Sequence, residues 1–267
     1  MTTPKLTAVI ITFNEEKNIC RCLESVRWMD ELIVVDSFST DRTVELARQY
    51  TDKVLQRTWP GHVLQKQFAL EQATGDWIIS LDADEELSSD AAAEIRSALT
   101  DAPPEVNGFS FPRRSFYLGR WISHGGWYPD RKVRLVRRGH ARWTGQDPHD
   151  KLVADGRTRD MQGTILHYVY SDISHQLRTV DSFSRITAKL WLEKGKRAGL
   201  AAILCKPAAK FLSTYVWKLG MLDGMPGLII SVISAYYVFL KYAKLWELQQ
   251  AKSSGNTKQI TPQIPTV

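Results

Sequence analysis

The first hundred residues alternate between short apolar runs and segments with helical spacing, and this alternation limits the fold more than any other feature. The apolar runs are residues 6–11, 32–35, 54–55 and 77–81, and a segment with helical periodicity follows each of them. The runs are continuously apolar, which is typical of parallel strands that are buried on both faces. The sequence therefore predicts an α/β fold with a doubly wound, mostly parallel sheet flanked by helices. In such folds ligands bind beyond the carboxyl ends of the strands.

The composition and the periodicity of the sequence change twice after this region. Residues 106–170 are rich in aromatic residues, Gly and Arg, and they predict short strands and long loops. Residues 171–250 return to helical spacing, and residues 251–267 have the composition of a disordered tail. We therefore predict a catalytic domain over 1–170, with halves 1–105 and 106–170, followed by a helical region over 171–250.

Charge is distributed unevenly along the chain. The net charge is +6, but residues 1–112 carry −9, whereas residues 113–142 and 185–252 each carry +8. A simple nucleic-acid-binding protein would have positive charge throughout its folded domain. A non-catalytic polyanion-binding or nucleic-acid-binding protein that uses the two basic blocks remains the alternative from a different functional class.

Polar side chains cluster where three of the predicted strands end, at residues 12–15, 36–41 and 82–86. No Gly-x-Gly-x-x-Gly motif follows the first strand, and the sequence contains no Gly-Lys-Ser/Thr loop. These observations argue against a dinucleotide-dependent dehydrogenase and against a P-loop enzyme.

Asp82 and Asp84 form a D-x-D pair at the end of the fourth strand. Residues i and i+2 of an extended chain point to the same side, so both carboxylates can face one site. Carboxylates suit Mg²⁺ or Mn²⁺ when substrate phosphates complete the coordination. The alternative is an acidic loop before a helix, where negative charge is favourable. The pair alone does not decide between these interpretations.

Three segments in register resemble family 2 glycosyltransferases of the GT-A fold. They are I-I-T-F-N-E-E at 10–16, V-V-D-S-F-S-T-D-R-T at 34–43 and G-D-W-I-I-S-L-D-A-D-E at 75–85. The similarity continues through Y-L-G-R-W-I-x-H-G-G-W-Y-P-D, which ends at residue 130, and through L-D-G at 222–224. These features resemble the inverting heptose β-1,4-glucosyltransferases of the lipopolysaccharide inner core.

The resemblance implies roles for individual residues. Phe13 would stack on the uracil of a UDP-sugar, Asp36 would contact the base or ribose, and Asp82 would face the ribose or sugar. Asp84 would ligate the Mg²⁺ or Mn²⁺ ion that bridges the diphosphate. The further donor-binding positions that it implies are Thr12, Asn14, Glu15 and Lys66. The alternatives to a role in donor binding are that Phe13 is an aromatic residue of the core and that Lys66 is a solvated helix residue.

The catalytic base is expected among residues 146–152. Inversion requires a group that takes the proton of the acceptor hydroxyl, and an ionised carboxylate can do this. The resemblance favours Asp150, in a His149-Asp150 pair where the family often has His-Glu. Asp147 is the second candidate, and an ordinary Asp-Pro turn is the alternative without catalytic meaning.

Nine basic residues and six aromatic residues are interleaved over 113–143. Aromatic faces suit sugar rings, and guanidinium groups suit phosphates and carboxylates. We expect Trp127 and Tyr128 to contact substrate, with a lipid A–core glycolipid as acceptor. Ordinary packing accounts for many of the other side chains in this segment.

Residues 227–240 are uncharged and flanked by basic and aromatic residues. Because a spanning helix needs about 20 apolar residues, we expect this segment to lie in the interface of an anionic membrane. A buried core helix and an oligomer seam are the alternatives. The N-terminus lacks the features of a signal peptide, which predicts a cytoplasmic enzyme on the inner face of the bacterial inner membrane. A polyprenyl-phosphate glycosyltransferase is the alternative enzyme.

Overall fold

The computed structural model describes residues 4–100, 102–146 and 149–253. The chain forms two compact units. The first comprises Met1–Phe116 and Pro129–Val169, and the second comprises Tyr117–Tyr128 and Tyr170–Val267. Residues 117–128, which were predicted to belong to the half 106–170 of the first domain, thus belong to the second unit. Most of the predicted disordered tail, residues 254–267, lies outside the described residues.

Strands and helices alternate through the first hundred residues, as predicted, and strands dominate the next seventy. In chain order they are β1 (Leu6–Thr12), α1 (Ile19–Val26), β2 (Glu31–Asp36), α2 (Thr43–Ala47), β3 (Val54–Gln56), α3 (His62–Gln72), β4 (Trp77–Asp82), β5 (Glu85–Leu87), α4 (Ser89–Thr100), β6 (Val106–Tyr117), β7 (Arg120–Trp121), β8 (Asp130–Arg137), β9 (Ala141–Gln146), β10 (His149–Ala154), β11 (Arg157–Asp160) and β12 (Ile165–His167).

The main sheet of the first unit has the strand order β3-β2-β1-β4-β8-β6-β12-β5. The four strands β1 to β4 are mutually parallel, which confirms the predicted doubly wound half. Beyond β4 the sheet is mixed: β8 is antiparallel to both β4 and β6, and β12 is parallel to β6 but antiparallel to β5. β9 and β10 form a separate antiparallel hairpin.

β1 lies at the centre of the core, because all seven of its residues are buried. Ile10 packs on one face of the sheet in a cluster with Leu23 of α1. Val9 packs on the other face in a cluster with Leu70 of α3. Burial of one such side chain contributes about 1.5–3 kcal/mol. Helices therefore cover both faces of the parallel half, and its strand ends are left for a site.

The second unit is helical, as predicted for 171–250. Its elements are α5 (Ile173–Glu193), α6 (Leu200–Leu212), a π-helical turn (Ser213–Trp217), a 3-10 turn (Gly220–Asp223) and α7 (Gly224–Ser253). Asp172 caps α5, since its side chain accepts a 2.7 Å hydrogen bond from the backbone N–H of His175.

The apolar run at 227–240 is part of a much longer helix. Within the described residues, Gly220–Ser253 is the one helical segment that is long and apolar enough to cross a membrane. Its most apolar stretch has a mean hydropathy of 1.5, and 22% of that stretch is buried. The buried positions of α7 include Ile230, Ser231 and Ile233. In α6, by contrast, no residue is fully buried.

Candidate functional site

The carboxyl ends of β1, β2 and β4 form one edge of the sheet in the first unit. The register pairs Thr12 of β1 with Asp36 of β2, and Ile11 of β1 with Asp82 of β4. The structure therefore brings together three groups of residues that the sequence placed after separate strands. Thr12 is buried, and its Oγ1 atom has no hydrogen-bond partner among the described residues, so a donor or acceptor is available at this edge.

Asp36 and Asn14 shape the loops above this edge. Asp36 is fully buried, and it accepts hydrogen bonds from the Ser39 backbone N–H at 3.0 Å and from Gln56 Nε2 at 3.1 Å. Asn14 has a left-handed backbone with φ 53°, and its Oδ1 atom accepts from the Thr40 N–H at 2.8 Å. The two loops are thus tied to each other, with half-buried Phe13 between β1 and the Asn14 turn.

Lys66 of α3 bridges two carboxylates. Its Nζ atom lies 2.9 Å from Asp82 Oδ1 and 2.8 Å from Asp150 Oδ2, and its side chain is only 5% exposed. The ring centre of Trp143 is 4.7 Å from the same nitrogen. A buried ammonium needs such partners because an unpaired buried charge is costly. Lys66 is therefore no solvated helix residue, and it joins the predicted donor side to the predicted base.

Arg134 and Glu85 support Asp82 from within the unit. Arg134 Nη2 lies 2.8 Å from Glu85 Oε1 and 3.2 Å from Asp82 Oδ2. Arg113 Nη1 is 3.0 Å from the same Glu85 oxygen. Burial alone would raise the pKa of Asp82, but the charges of Lys66 and Arg134 hold that pKa well below its usual range. Burial also opposes ionisation of Glu85, yet Arg134 and Arg113 lower its pKa to about 2. Both carboxylates are ionised at neutral pH.

Asp84 faces a different partner. His167 Nε2 is 3.1 Å from Asp84 Oδ2, and Ser115 Oγ is 3.5 Å from His167 Nδ1. Burial raises the pKa of Glu15 to about 7, and the negative charge of Asp84 contributes to this rise. Glu15 is held in turn by Asn18, whose Nδ2 atom donates to it at 2.7 Å.

The residues around Asp84 fit a divalent cation that substrate phosphates would complete. Within the described residues no group of three or more His, Cys, Asp or Glu side chains is arranged to hold a metal alone. Asp84 and His167 nevertheless offer one carboxylate and one imidazole ligand, types that Mn²⁺ and related ions accept. The repulsion between Asp84 and Glu15 also favours a cation there.

Two predicted substrate contacts lie in the second unit. Trp127 packs against Tyr117 and Tyr170, with ring centres 5.7 and 6.4 Å away, and Tyr128 follows it in the chain. Their predicted role in substrate binding stays a prediction. Asp147, the second candidate for the base, lies outside the described residues.

Sequence reasoning missed Arg134, Glu85 and His167. Arg134 lies in the alternating segment K-V-R-L-V, where an arginine between branched apolar residues indicates a charge carried into a buried strand. His167 follows a short apolar run at the end of β12, a weaker signal. In both cases the partner carboxylate is more than 45 residues away in sequence, so no local pattern could identify it.

Comparisons with known proteins agree with this architecture. The family model described as "Glycosyl transferase family 2" matches residues 7–153. A Rhizobium meliloti protein named lipopolysaccharide core biosynthesis glycosyltransferase LpsC is 32% identical over 262 residues, 94% of this chain and 95% of its own. An uncharacterized glycosyltransferase of Rickettsia typhi is 30% identical over 255 residues, 91% of this chain and 87% of its own.

One solved structure shares the fold over nearly the whole chain. It is the mannosyltransferase PcManGT from Pyrobaculum calidifontis in complex with GDP-Man and Mn²⁺. The TM-score is 0.53 at 16% sequence identity, with 92% of this chain and 88% of that chain covered.

Proposed function

This chain belongs to glycosyl transferase family 2, and we propose that it is a metal-dependent inverting enzyme that moves glucose from a UDP-sugar to the heptose region of the lipopolysaccharide core. The observation that carries the proposal is the convergence of Asp82, Lys66 and Asp150 beside Asp84 at one sheet edge. This arrangement supports a donor site and a proton acceptor within one compact unit.

The chemistry assigns the base to Asp150. Its carboxylate takes the proton of an acceptor hydroxyl while that oxygen forms a bond to the anomeric carbon and the bond from that carbon to the UDP oxygen breaks. Lys66 holds Asp150 in place through the 2.8 Å contact to Oδ2. Thr12, Phe13 and Asp36 line the edge on which the nucleotide would lie, and Asn14 and Glu15 extend it.

Asp84, with His167, would hold a Mg²⁺ or Mn²⁺ ion. When bound, such an ion neutralises charge on the diphosphate of the departing UDP. Support comes from the donor set itself and from the repulsion that raises the pKa of Glu15. The Mn²⁺ and nucleotide sugar named for the Pyrobaculum mannosyltransferase agree with this assignment.

The relatives and the second unit support the proposed acceptor and location. The Rhizobium relative is named for lipopolysaccharide core biosynthesis, which favours a lipid A–core acceptor. Large apolar side chains are exposed on α6, on the turns after it and at the start of α7, including Leu204, Trp217 and Met225. Exposed lysines lie among them, and both features suit peripheral attachment to an anionic membrane surface on the cytoplasmic side.

Incubation with UDP-glucose, other UDP-sugars and GDP-mannose, each with truncated core acceptors, tests the proposal when products are read by mass spectrometry. We expect addition of one hexose to a heptose-containing core from UDP-glucose. Polyprenyl phosphate belongs in the acceptor panel, because a product on that lipid alone would favour the alternative enzyme.

Calorimetry separates donor binding from turnover. We expect UDP binding that requires Mn²⁺ and that is lost in Asp84→Ala. Asp90→Ala is the matched control, because Asp90 is an exposed acid in the first turn of α4. Binding of UDP to Asp84→Ala at unchanged affinity would contradict the assignment of the metal ligand.

A further inference from the structure

Two distant segments of the second unit meet at Asp223. Its carboxylate is buried, and it accepts hydrogen bonds from the backbone N–H groups of Ser123 at 3.2 Å and His124 at 2.8 Å. His124 Nδ1 lies 3.3 Å from Asp223 Oδ1. The sequence had singled out both segments, yet donor binding and proton transfer make no use of them. Asp223, the last residue of the 3-10 turn, thus fixes the 122–126 loop just before α7 begins.

Asp223 also orients the imidazole of His124. With Nδ1 turned toward the carboxylate, the Nε2 atom is left for another partner, and none exists among the described residues. An imidazole nitrogen held in this way can accept a hydrogen bond or, when protonated, donate one. His124 is therefore set to contact a ligand that offers either oxygen or hydroxyl groups.

Two permanent cations flank His124. Arg120 Nη1 donates to the Asp223 carbonyl at 3.0 Å, and its side chain remains 46% exposed. The Lys218 carbonyl accepts from the Gly125 N–H at 2.8 Å, and Lys218 Nζ lies 2.9 Å from the point that a Cβ atom on Gly126 would occupy. Gly126 has φ +78°, so a side chain at this position would be strained as well as crowded. The turn thus keeps space for the Lys218 ammonium.

The positive charge of this group is not compensated. Among the described residues, Asp223 is the one carboxylate that contacts Arg120 or His124, and Lys218 forms no ion pair. The oxygens of Asp223 already serve the loop. Burial lowers the pKa of Lys210, and the nearby charge of Lys218 lowers it further.

We propose that Arg120, His124 and Lys218 form a binding site for a phosphate ester at the start of α7. Two fixed positive charges match the charge of a phosphomonoester, which is about −1.5 to −2 at neutral pH. Its three oxygens can accept from three separate donors, whereas a carboxylate has two oxygens and one charge.

Histidine NMR tests the site in the full chain with UDP and Mg²⁺ present, so that the donor site is occupied. Glycerol 3-phosphate is the probe, and glycerol is its uncharged counterpart. We expect a saturable shift of the His124 resonance, identified by its loss in His124→Gln, with glycerol 3-phosphate and none with glycerol. Arg120→Gln and Lys218→Gln should each weaken binding of the probe by at least about tenfold, since each removes a charge-assisted hydrogen bond to the phosphate.

Lys194→Gln is the matched control, because it removes an exposed lysine of the same unit and should leave the affinity for the probe unchanged. An unchanged His167 resonance and melting temperature show that each variant is folded. Equal probe affinity in Arg120→Gln, Lys218→Gln and the parent protein would overturn the proposal.

A second arm identifies the source of the phosphate. Vesicles of phosphatidylcholine with phosphatidic acid, whose headgroup is also a phosphomonoester, are compared with vesicles of pure phosphatidylcholine, without any glycan. A His124 shift with the soluble probe assigns the site to a phosphorylated glycan acceptor, and a shift only with the anionic vesicles assigns it to a lipid headgroup. No shift with either probe overturns the site. The assignment to a glycan acceptor rests on the proposed function, but the phosphate site itself does not. Absence of UDP binding with a persistent His124 shift would contradict only the proposed function, and UDP binding without a His124 shift would contradict only the phosphate site.

Discussion

The two units of the protein differ in how their buried and half-buried cations are paired with carboxylates. In the first unit the buried cations Lys66, Arg113 and Arg134 each lie within 3.0 Å of at least one carboxylate oxygen. In the second unit, burial lowers the pKa of Lys241, and the neighbouring charges of Lys210 and Lys196 lower it further. The buried cations of the first unit are thus paired with carboxylates. In the second unit Lys244 pairs with Asp181 at 2.6 Å, but Lys210 and Lys241 form no ion pair within the described residues.

We expect the largest effect on activity at Asp150, which is paired with Lys66 and is also the proposed catalytic base. Asp150→Asn keeps the shape of the side chain but removes the proton acceptor, so kcat should fall by about 10²–10⁴. UDP-sugar binding, measured by calorimetry, should be nearly intact. Asp155→Asn is the control, since Asp155 is an exposed acid just beyond the end of β10. Full activity of Asp150→Asn would move the base to Asp147 or elsewhere.

The next effect concerns the stability that internal pairing provides. Arg134→Met leaves Glu85 and Asp82 with fewer partners in a buried site, and the free energy of unfolding should fall by about 3–5 kcal/mol. Arg142→Met removes an exposed pair with Asp155, in which both side chains are more than half exposed, and should cost less than about 1 kcal/mol. Urea unfolding of both variants measures the difference, and equal losses would show that burial does not distinguish the two pairs.

Acid should act on the first unit through Glu31. Burial opposes its ionisation, but bonds from Lys53, Thr7 and Thr74 outweigh this and lower its pKa from 4.5 to about 2. The folded state therefore binds the proton less tightly than the unfolded state. The resulting stabilisation, about 3 kcal/mol, is fully present above pH 4.5 and is lost as the pH falls toward 2. The free energy of unfolding of Glu31→Gln should therefore depend less on pH between 4.5 and 2 than that of the parent protein. An identical pH dependence in the two proteins would contradict the role assigned to Glu31.

The smallest effect lies in the second unit. Lys210→Met removes a charge that Lys218 repels, so stability at low salt should stay constant or rise by about 0.5 kcal/mol. Thermal unfolding at low and high salt measures this, because salt screens the repulsion in the parent protein. A clear loss of stability would show that Lys210 has a favourable internal partner and would weaken the contrast between the units.

The sequence predicted the parallel half of the fold because its signal is local. The runs at 6–11, 32–35 and 77–81 became β1, β2 and β4 almost to the residue, since continuous apolar runs have few structural solutions. Asp82 and Asp84 could be found for the same reason. They lie at the carboxyl end of β4, and the parallel strands β1 and β2 end at the same edge of the sheet.

The rest of the site depends on contacts that no short window contains. Arg134 meets Glu85 across 49 residues, and His167 meets Asp84 across 83. The antiparallel return of β8 brings the first of these pairs together, and nothing in the alternation of residues 130–137 indicates which strand it will join. The sequence predicted a helical region over 171–250 but not that one helix, α7, runs unbroken from Gly224 to Ser253, because its charged second half, from Lys241 on, differs in composition from the apolar run before it.

The antiparallel strand β8 also limits how this protein can be altered. The loops that follow β1 and β2 lie outside the paired strands, so changes in their sequence leave the strand register intact. Arg134 lies in β8 where the register with β6 shifts, between Leu135 opposite Phe109 and Val133 opposite Ser110. Deleting one residue of β8 would turn its guanidinium to the other face of the sheet. Attempts to redirect this enzyme toward new sugars should therefore graft loops and leave residues 130–137 untouched.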